Sequence, residues 1–226
     1  MSSDPRPVVH VVAAAMIDAA GRVLIDRRPT GKHLAGGWEF PGGKLEPGEE
    51  RVAGLARELH EELGITIGTP RPLIRVRHAY PSRDVLLDVW VVRDYRGEPK
   101  GLDGQTLRWC TQDELSTVKL LPADLPIVKA LRLPERLTEV SSRHYVIGEN
   151  LGDDRLRGAL CANLPEARAA ADAGADFIAL TGALSAGGLA ELCRSVAIPV
   201  YARGIALEQA WALGATGVNE IDLPPE

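Results

Sequence analysis

GKLEPGEERVAGLARELHEELGI, residues 43–65, carries two patterns at once. Val52, Leu55, Ala56, Leu59 and Leu63 recur at helical spacing and predict one apolar face. Glu58, Glu61 and Glu62 lie at i, i+3 and i+4, so a helix puts their carboxylates on a separate stripe. Gly64 follows the last periodic residue, where a helix stops. Like charges at this spacing destabilise a helix by about 0.2–0.5 kcal/mol per pair. A divalent cation beside them reverses that sign. Oxygen donors alone suit Mg²⁺ or Mn²⁺ rather than zinc. A solvated acidic face is the other reading of the same charges.

The fixed positions around the glutamates add to this. Gly43, Glu49, Arg57, Glu58, Leu59, Glu61, Glu62, Gly64 and Ile65 fit G-x5-E-x7-R-E-U-x-E-E-x-G-U, where U is aliphatic. The segment thereby resembles the Nudix box at every fixed position. The resemblance implies a loop-helix-loop that binds divalent metal and hydrolyses a nucleoside diphosphate linked to another group. It implies Glu58, Glu61 and Glu62 as metal ligands, and Arg57 as the residue that orients a neighbouring carboxylate, with Glu49 in view. The fold it implies is α/β: the α+β Nudix fold, a mixed sheet between helices.

Composition sets the bounds. The chain has 226 residues, enough for one large or two small domains. A hydrophobic fraction of 45% and a charged fraction of 25% are those of an ordinary globular protein. A net charge of -5 argues against a protein that coats nucleic-acid polymers. A nucleotide remains compatible, because metal supplies positive charge locally. Cys110, Cys161 and Cys193 are odd in number, widely spaced and form no C-x-x-C. That disfavours a disulfide framework or a zinc site and fits the reducing cytoplasm. No apolar run reaches membrane-spanning length, and residues 8–17 read as a strand, not a signal peptide.

Residues 7–17 and 22–26 read as two strands around the turn 18–21, which is the pattern of a hairpin. A loop then carries Arg28, His33 and Phe40. An arginine pairs with phosphate or a base edge, and a phenylalanine packs on a purine. Taken singly they also read as a solvated arginine, a surface histidine and a core phenylalanine. Together with Phe40-Pro41-Gly42-Gly43 they resemble the segment before the box in MutT-type Nudix enzymes, which hydrolyse oxidised guanine nucleotides. The resemblance implies that Arg28, His33 and Phe40 contact the nucleotide and that the Gly42 carbonyl is a further metal ligand.

Residues 73–78, 85–92 and 107–110 are further strands. Asp103, in the polar loop between the last two, sits where MutT-type enzymes place an additional acidic residue near the metals; such residues also serve simply as turn formers. Thr111 with Glu114 three residues on predicts a capped helix start. Asp124 falls where the MutT subfamily carries an Asn or Asp against the base. An ionised carboxylate only accepts, so it suits guanine N1–H and its amine. A helix N-cap is the competing role for Asp124.

The polar stretch 134–142 divides a first domain, 1–133, from residues 143–226. There strands and helices alternate, which predicts βα units on a parallel sheet. EARAAADAGADFIAL, IPVYARGI and ALGATGVNEI resemble the later βα units of thiamine phosphate synthase, a TIM barrel. The segment is too short for a whole barrel, which takes about 200 or more residues, so no synthase activity is expected. So few units leave one sheet face to cover, by packing on the first domain or by a homodimer.

The function expected from these resemblances is a Mg²⁺-dependent pyrophosphohydrolase, with Mn²⁺ as the alternative ion. It would turn 8-oxo-dGTP into 8-oxo-dGMP and pyrophosphate, with attack at the β-phosphorus. Glu49 and Glu61 are both candidates for the general base. Thiamine diphosphate analogues, ADP-ribose and ordinary pyrimidine triphosphates are the alternative substrates. The partner is a small nucleotide, with no membrane and no nucleic-acid polymer.

Overall fold

A computed structural model describes residues 7–29, 31, 34–148 and 154–222. Contacts divide the chain into two compact units, Met1–Arg71 with Val76–Val128, and Pro72–Arg75 with Lys129–Glu226.

The first unit contains the strands β1 (Val8–Met16), β2 (Val23–Arg27), β3 (Trp38–Glu39) and β4 (Gly42–Lys44). Helix α1 (Arg51–Leu63) follows, then β5 (Thr66–Ile67), β6 (Arg71–Tyr80), β7 (Arg83–Val92), β8 (Tyr95–Arg96) and β9 (Thr106–Cys110). Two short helices, α2 (Gln112–Leu115) and α3 (Leu125–Ala130), close it, with a 3₁₀ turn at Pro122–Asp124. The main sheet runs β4-β1-β7-β6 and is mixed: β1 lies parallel to β7 and antiparallel to β4.

The expected hairpin of the first two strands does not form. After the bridge Ile17–Val23 the strands part, and β2 joins β3 and β9 in a second, antiparallel sheet. Both edges of β1 are already taken by β4 and β7, so β2 must satisfy its backbone elsewhere. The two short strands β3 and β4 fall where sequence suggests only loop.

Helix α1 forms where its spacing predicts. Glu50 caps it, accepting from the N–H groups of Val52 and Ala53, and Gly64 ends it at φ 69° in the left-handed region. Leu55, Leu59 and Leu63 are fully buried against Val12, Ala14, Met16 and Val92 of the main sheet. Each such side chain contributes about 1.5–3 kcal/mol. That packing fixes the rotation of α1, and so the direction of its acidic stripe. Thr111 and Glu114 make the reciprocal capping bonds expected at α2.

The second unit holds β10 (Arg136–Leu137), β11 (Tyr145–Ile147), β12 (Leu156–Cys161), α4 (Leu164–Asp172), β13 (Phe177–Leu180), α5 (Ala186–Ser195), β14 (Val200–Ala202), α6 (Leu207–Ala212) and β15 (Gly217–Asn219). Its sheet runs β10-β15-β14-β13-β12-β11, with every adjacent pair parallel. Leu189, Leu192, Leu207 and Ala210 from the helices cover the face bearing Ile178, Leu180, Val200 and Val218. The opposite face carries a second cluster of Leu137, Tyr145, Leu156, Phe177, Tyr201 and Ile221. Gly158 sits beneath the Phe177 ring, where a Cβ would collide with it, and a Cβ on Gly217 would collide with the Glu135 carbonyl and the edge of the Tyr201 ring.

Candidate active site

Arg57 is the hub of the acidic stripe. Its Nε and Nη2 donate to the two oxygens of Glu49, at 2.8 and 2.9 Å. Its Nη1 donates to Glu58 at 3.0 Å and to Glu61 at 3.1 Å, and Nη2 also reaches the Lys44 carbonyl. The fork on Glu49 is the strong bidentate geometry. With help from the Glu46 N–H, it holds the Glu49 carboxyl down at about 2. The Arg57 guanidinium is correspondingly raised above its ordinary value by Glu49.

Gly43 sets how closely α1 approaches strand β4. A Cβ there would overlap both carboxylate oxygens of Glu58. A Cβ on Gly42 would overlap the Val12 carbonyl, and its φ of 148° already favours glycine. The first glycine of the box and the one before it therefore exist to let backbone, helix and carboxylate meet.

A pocket of about 340 Å³ opens beside these glycines. Val9, Val11, Ala13, Val85 and Leu87 form an apolar floor on the main sheet. Gly42, Gly43, Lys44 and Glu62 line it, as do Arg28, Glu39, Phe40, Tyr80, Arg83 and Asp124. Gly43 touches both the pocket and the Glu58 carboxylate.

Arg28 donates through Nη1 to Glu39, while its buried Nε has no hydrogen-bond partner among the described residues. Phe40 is 3% exposed, so it is a core ring that also lines the pocket. Asp124 is 5% exposed and sits in the 3₁₀ turn before α3. It is the last residue of that turn and runs directly into α3. Burial above all, then the nearby Glu39 and Asp26, push its carboxyl well above the usual carboxylate range; Arg28 offsets part of this. Tyr80 is raised as well, first by burial.

Other predicted residues lie apart. His33 falls outside the described residues. Glu61 is 58% exposed and leans on Arg57. Asp103 follows Leu102, whose N–H bonds the Glu62 carbonyl at the end of α1. Among the described residues, no three acidic, histidine or cysteine side chains are gathered closely enough to enclose an ion. Glu58 and Glu61 are instead spanned by Arg57, and Glu62 and Asp103 have interactions of their own. The donor chemistry nonetheless fits magnesium. It is all oxygen, and Gly43 keeps the space at Glu58 clear of a Cβ.

Sequence reading missed Asp26, Glu39, Lys44, Tyr80 and Arg83. The strand register Asp26–Glu39 brings two acids from separate strands side by side, which no linear spacing announces. Tyr80 and Arg83 flank a turn and read as turn residues.

A NUDIX domain model matches residues 12–130. The chain belongs to the Nudix family. The CTP pyrophosphohydrolase of Escherichia coli (strain K12) is 38% identical over 119 residues, covering 53% of this chain and 88% of that protein. The 8-oxo-dGTP diphosphatase of the same organism is 36% identical over 110 residues, covering 49% and 85%. The solution structure of the E. coli ORF135 protein superposes with a TM-score of 0.50 at 36% identity, covering 55% of this chain and 89% of that one. The chain is a Nudix pyrophosphohydrolase, and its Nudix helix is α1. No helix among the described residues is long and apolar enough to cross a membrane.

Proposed function

We propose that this Nudix hydrolase cleaves 8-oxo-dGTP to 8-oxo-dGMP and pyrophosphate, using Mg²⁺, and so clears oxidised nucleotide. The observation that supports this most is the continuity of the pocket. An apolar floor with Arg28, Phe40 and Asp124 suits a base, and Gly42, Gly43 and Glu62 lead to the Glu58 carboxylate. Arg28, Lys44 and Arg83 supply positive charge for phosphates.

Glu58, Glu61 and Glu62, with Asp103 and the Gly42 carbonyl, would hold the ion. Magnesium, when bound, offsets the charge of the triphosphate and makes the attacking water more acidic. Arg57 holds the carboxylates of Glu49, Glu58 and Glu61 in place. A carboxylate held at about 2 is a poor proton acceptor, so of the two candidate bases Glu49 orients and Glu61 takes the proton. Residues 143–226 act as a non-catalytic module resembling part of thiamine phosphate synthase, with the first domain ending near residue 133.

CTP is the second reading. It is favoured by the likeness to a CTP pyrophosphohydrolase. The test is pyrophosphate release from 8-oxo-dGTP, CTP and dGTP with Mg²⁺ at low substrate concentration. A dominant kcat/KM for 8-oxo-dGTP supports the first reading, dominance of CTP supports the second, and no release from any overturns both.

A further inference from the structure

The carboxyl end of α1 leaves backbone carbonyls that the helix itself cannot satisfy. The loop between β8 and β9 supplies donors to two of them. Lys100 N–H donates to the Leu63 carbonyl at 3.0 Å, and Leu102 N–H to the Glu62 carbonyl at 2.9 Å. The Gln105 side chain adds a second donor to that Glu62 carbonyl, through Nε2 at 3.2 Å. Its Oε1 accepts from the Asp103 N–H at 2.9 Å. One amide thus joins the backbones of Glu62 and Asp103. The Asp103 N–H only donates and the Glu62 carbonyl only accepts, so a single orientation of the amide serves both.

Apolar burial does not hold this loop. Leu102 is 59% exposed, and Asp103 and Gly104 are exposed beside it, whereas Gln105 is buried. Gln105 stands at the head of β9, whose first residue, Thr106, pairs with Arg27 of β2, so its backbone is anchored in a sheet. A Cβ on Gly101 would overlap the Gln105 carbonyl, so the loop folds tightly back on that residue. A buried amide is tolerated because its hydrogen bonds are made. Here those bonds run to the two acidic residues that flank the carboxyl end of the Nudix helix.

We propose that Gln105 is a positioning residue of the hydrolase: its amide ties the loop that carries Asp103 to the Nudix helix at Glu62, and so sets these two acidic residues relative to each other. The proposal rests on the reading of Glu62 and Asp103 as ligands of the divalent ion. Glu62 takes its place from the packing of α1, but Asp103 rides on an exposed loop and needs a separate restraint. Magnesium demands near-ideal octahedral geometry, so a ligand on a loose loop would bind it weakly. Gln105 acts on the ion only through the backbone it holds.

The experiment titrates the metal-free, full-length protein with Mn²⁺ alone and follows the free ion by electron paramagnetic resonance. The proteins compared are the wild type, Gln105→Met, Asp103→Asn and the double variant. Methionine keeps the length of the side chain and makes neither bond. Gln105→Met should weaken Mn²⁺ binding about tenfold, as the loss of a residue that orients a metal ligand does. In the Asp103→Asn background it should have no further effect, because the two residues act as one unit. An equal loss in both backgrounds, or no loss in either, overturns the proposal, and Asp103 stays a ligand if Asp103→Asn alone weakens binding. Unchanged binding in Asp103→Asn sinks Asp103 as a ligand, and the positioning role with it. Hydrogen exchange of the Asp103 amide, without metal, reads the tether by itself. Exchange should be faster in Gln105→Met, and an unchanged rate overturns the tether. Gln105→Asn is polar but one methylene too short to span both partners. It should repeat both changes, and wild-type behaviour in it would contradict the need for a spanning amide.

Discussion

Arg57 ties the acidic stripe together, and Asp124 lines the pocket. Arg57 forks onto Glu49 and reaches Glu58 and Glu61. Lysine keeps the charge but cannot make the fork. Arg57→Lys should therefore lower kcat by about 10–100-fold, the cost typical of losing a residue that orients ligands, while KM changes little; steady-state kinetics reads the split. Asp124 predicts a stability effect of definite sign. Its folded value lies above its unfolded one, so the folded state binds the extra proton. Stability then falls as pH rises from the unfolded value through the folded one. Asp124→Asn should melt higher than the wild type at neutral and alkaline pH and lose that advantage in acid. Melting curves across pH check this, and an unchanged difference contradicts it. Glu49 runs the other way: held at about 2, it adds stability above its ordinary value that is lost as pH falls toward about 2.

At the level of elements, the Nudix helix was legible because its two faces have separate periods in the sequence. Leu55, Leu59 and Leu63 bury as spaced, and Gly64 stops the helix where expected. The partners of β1 were not legible. Val8–Met16 and Val23–Arg27 look like a hairpin locally, yet the pairing is set by β4 and β7, one of them nearly seventy residues away in sequence. The acids at Asp26 and Glu39 were hidden for the same reason, since only strand register joins them. The glycines at β4 supply a test of the element. Gly43→Ala should leave the protein folded but displace Glu58, which is the far end of a flexible side chain, and so cut kcat. Gly42→Ala meets backbone at Val12 and a φ of 148°, and should lower stability by about 1–3 kcal/mol. Denaturant unfolding and turnover separate the two; equal effects on both would contradict this account of β4.

On the scale of the whole molecule, the candidate site lies within the first unit, and every residue lining its pocket belongs to Met1–Arg71 or Val76–Val128. The second unit has its own parallel sheet and its own polar group at the strand ends, where Arg203 donates to the carbonyls of Asn219 and Ile221. Arg203→Ala should leave kcat/KM for the nucleotide unchanged, and a marked loss would show that the second unit takes part in the chemistry. Alternation of strand and helix was readable there, whereas the use of glycine to seat aromatic rings was not, because it depends on which strands adjoin. The central claim is that one helix of carboxylates splits a nucleoside triphosphate into monophosphate and pyrophosphate. Phosphorus NMR of the products from 8-oxo-dGTP with Mg²⁺, for the wild type and for Glu58→Gln, tests it most directly. The account predicts 8-oxo-dGMP and pyrophosphate from the wild type and almost none from the variant. Release of inorganic phosphate with a nucleoside diphosphate, or full turnover by Glu58→Gln, would contradict it.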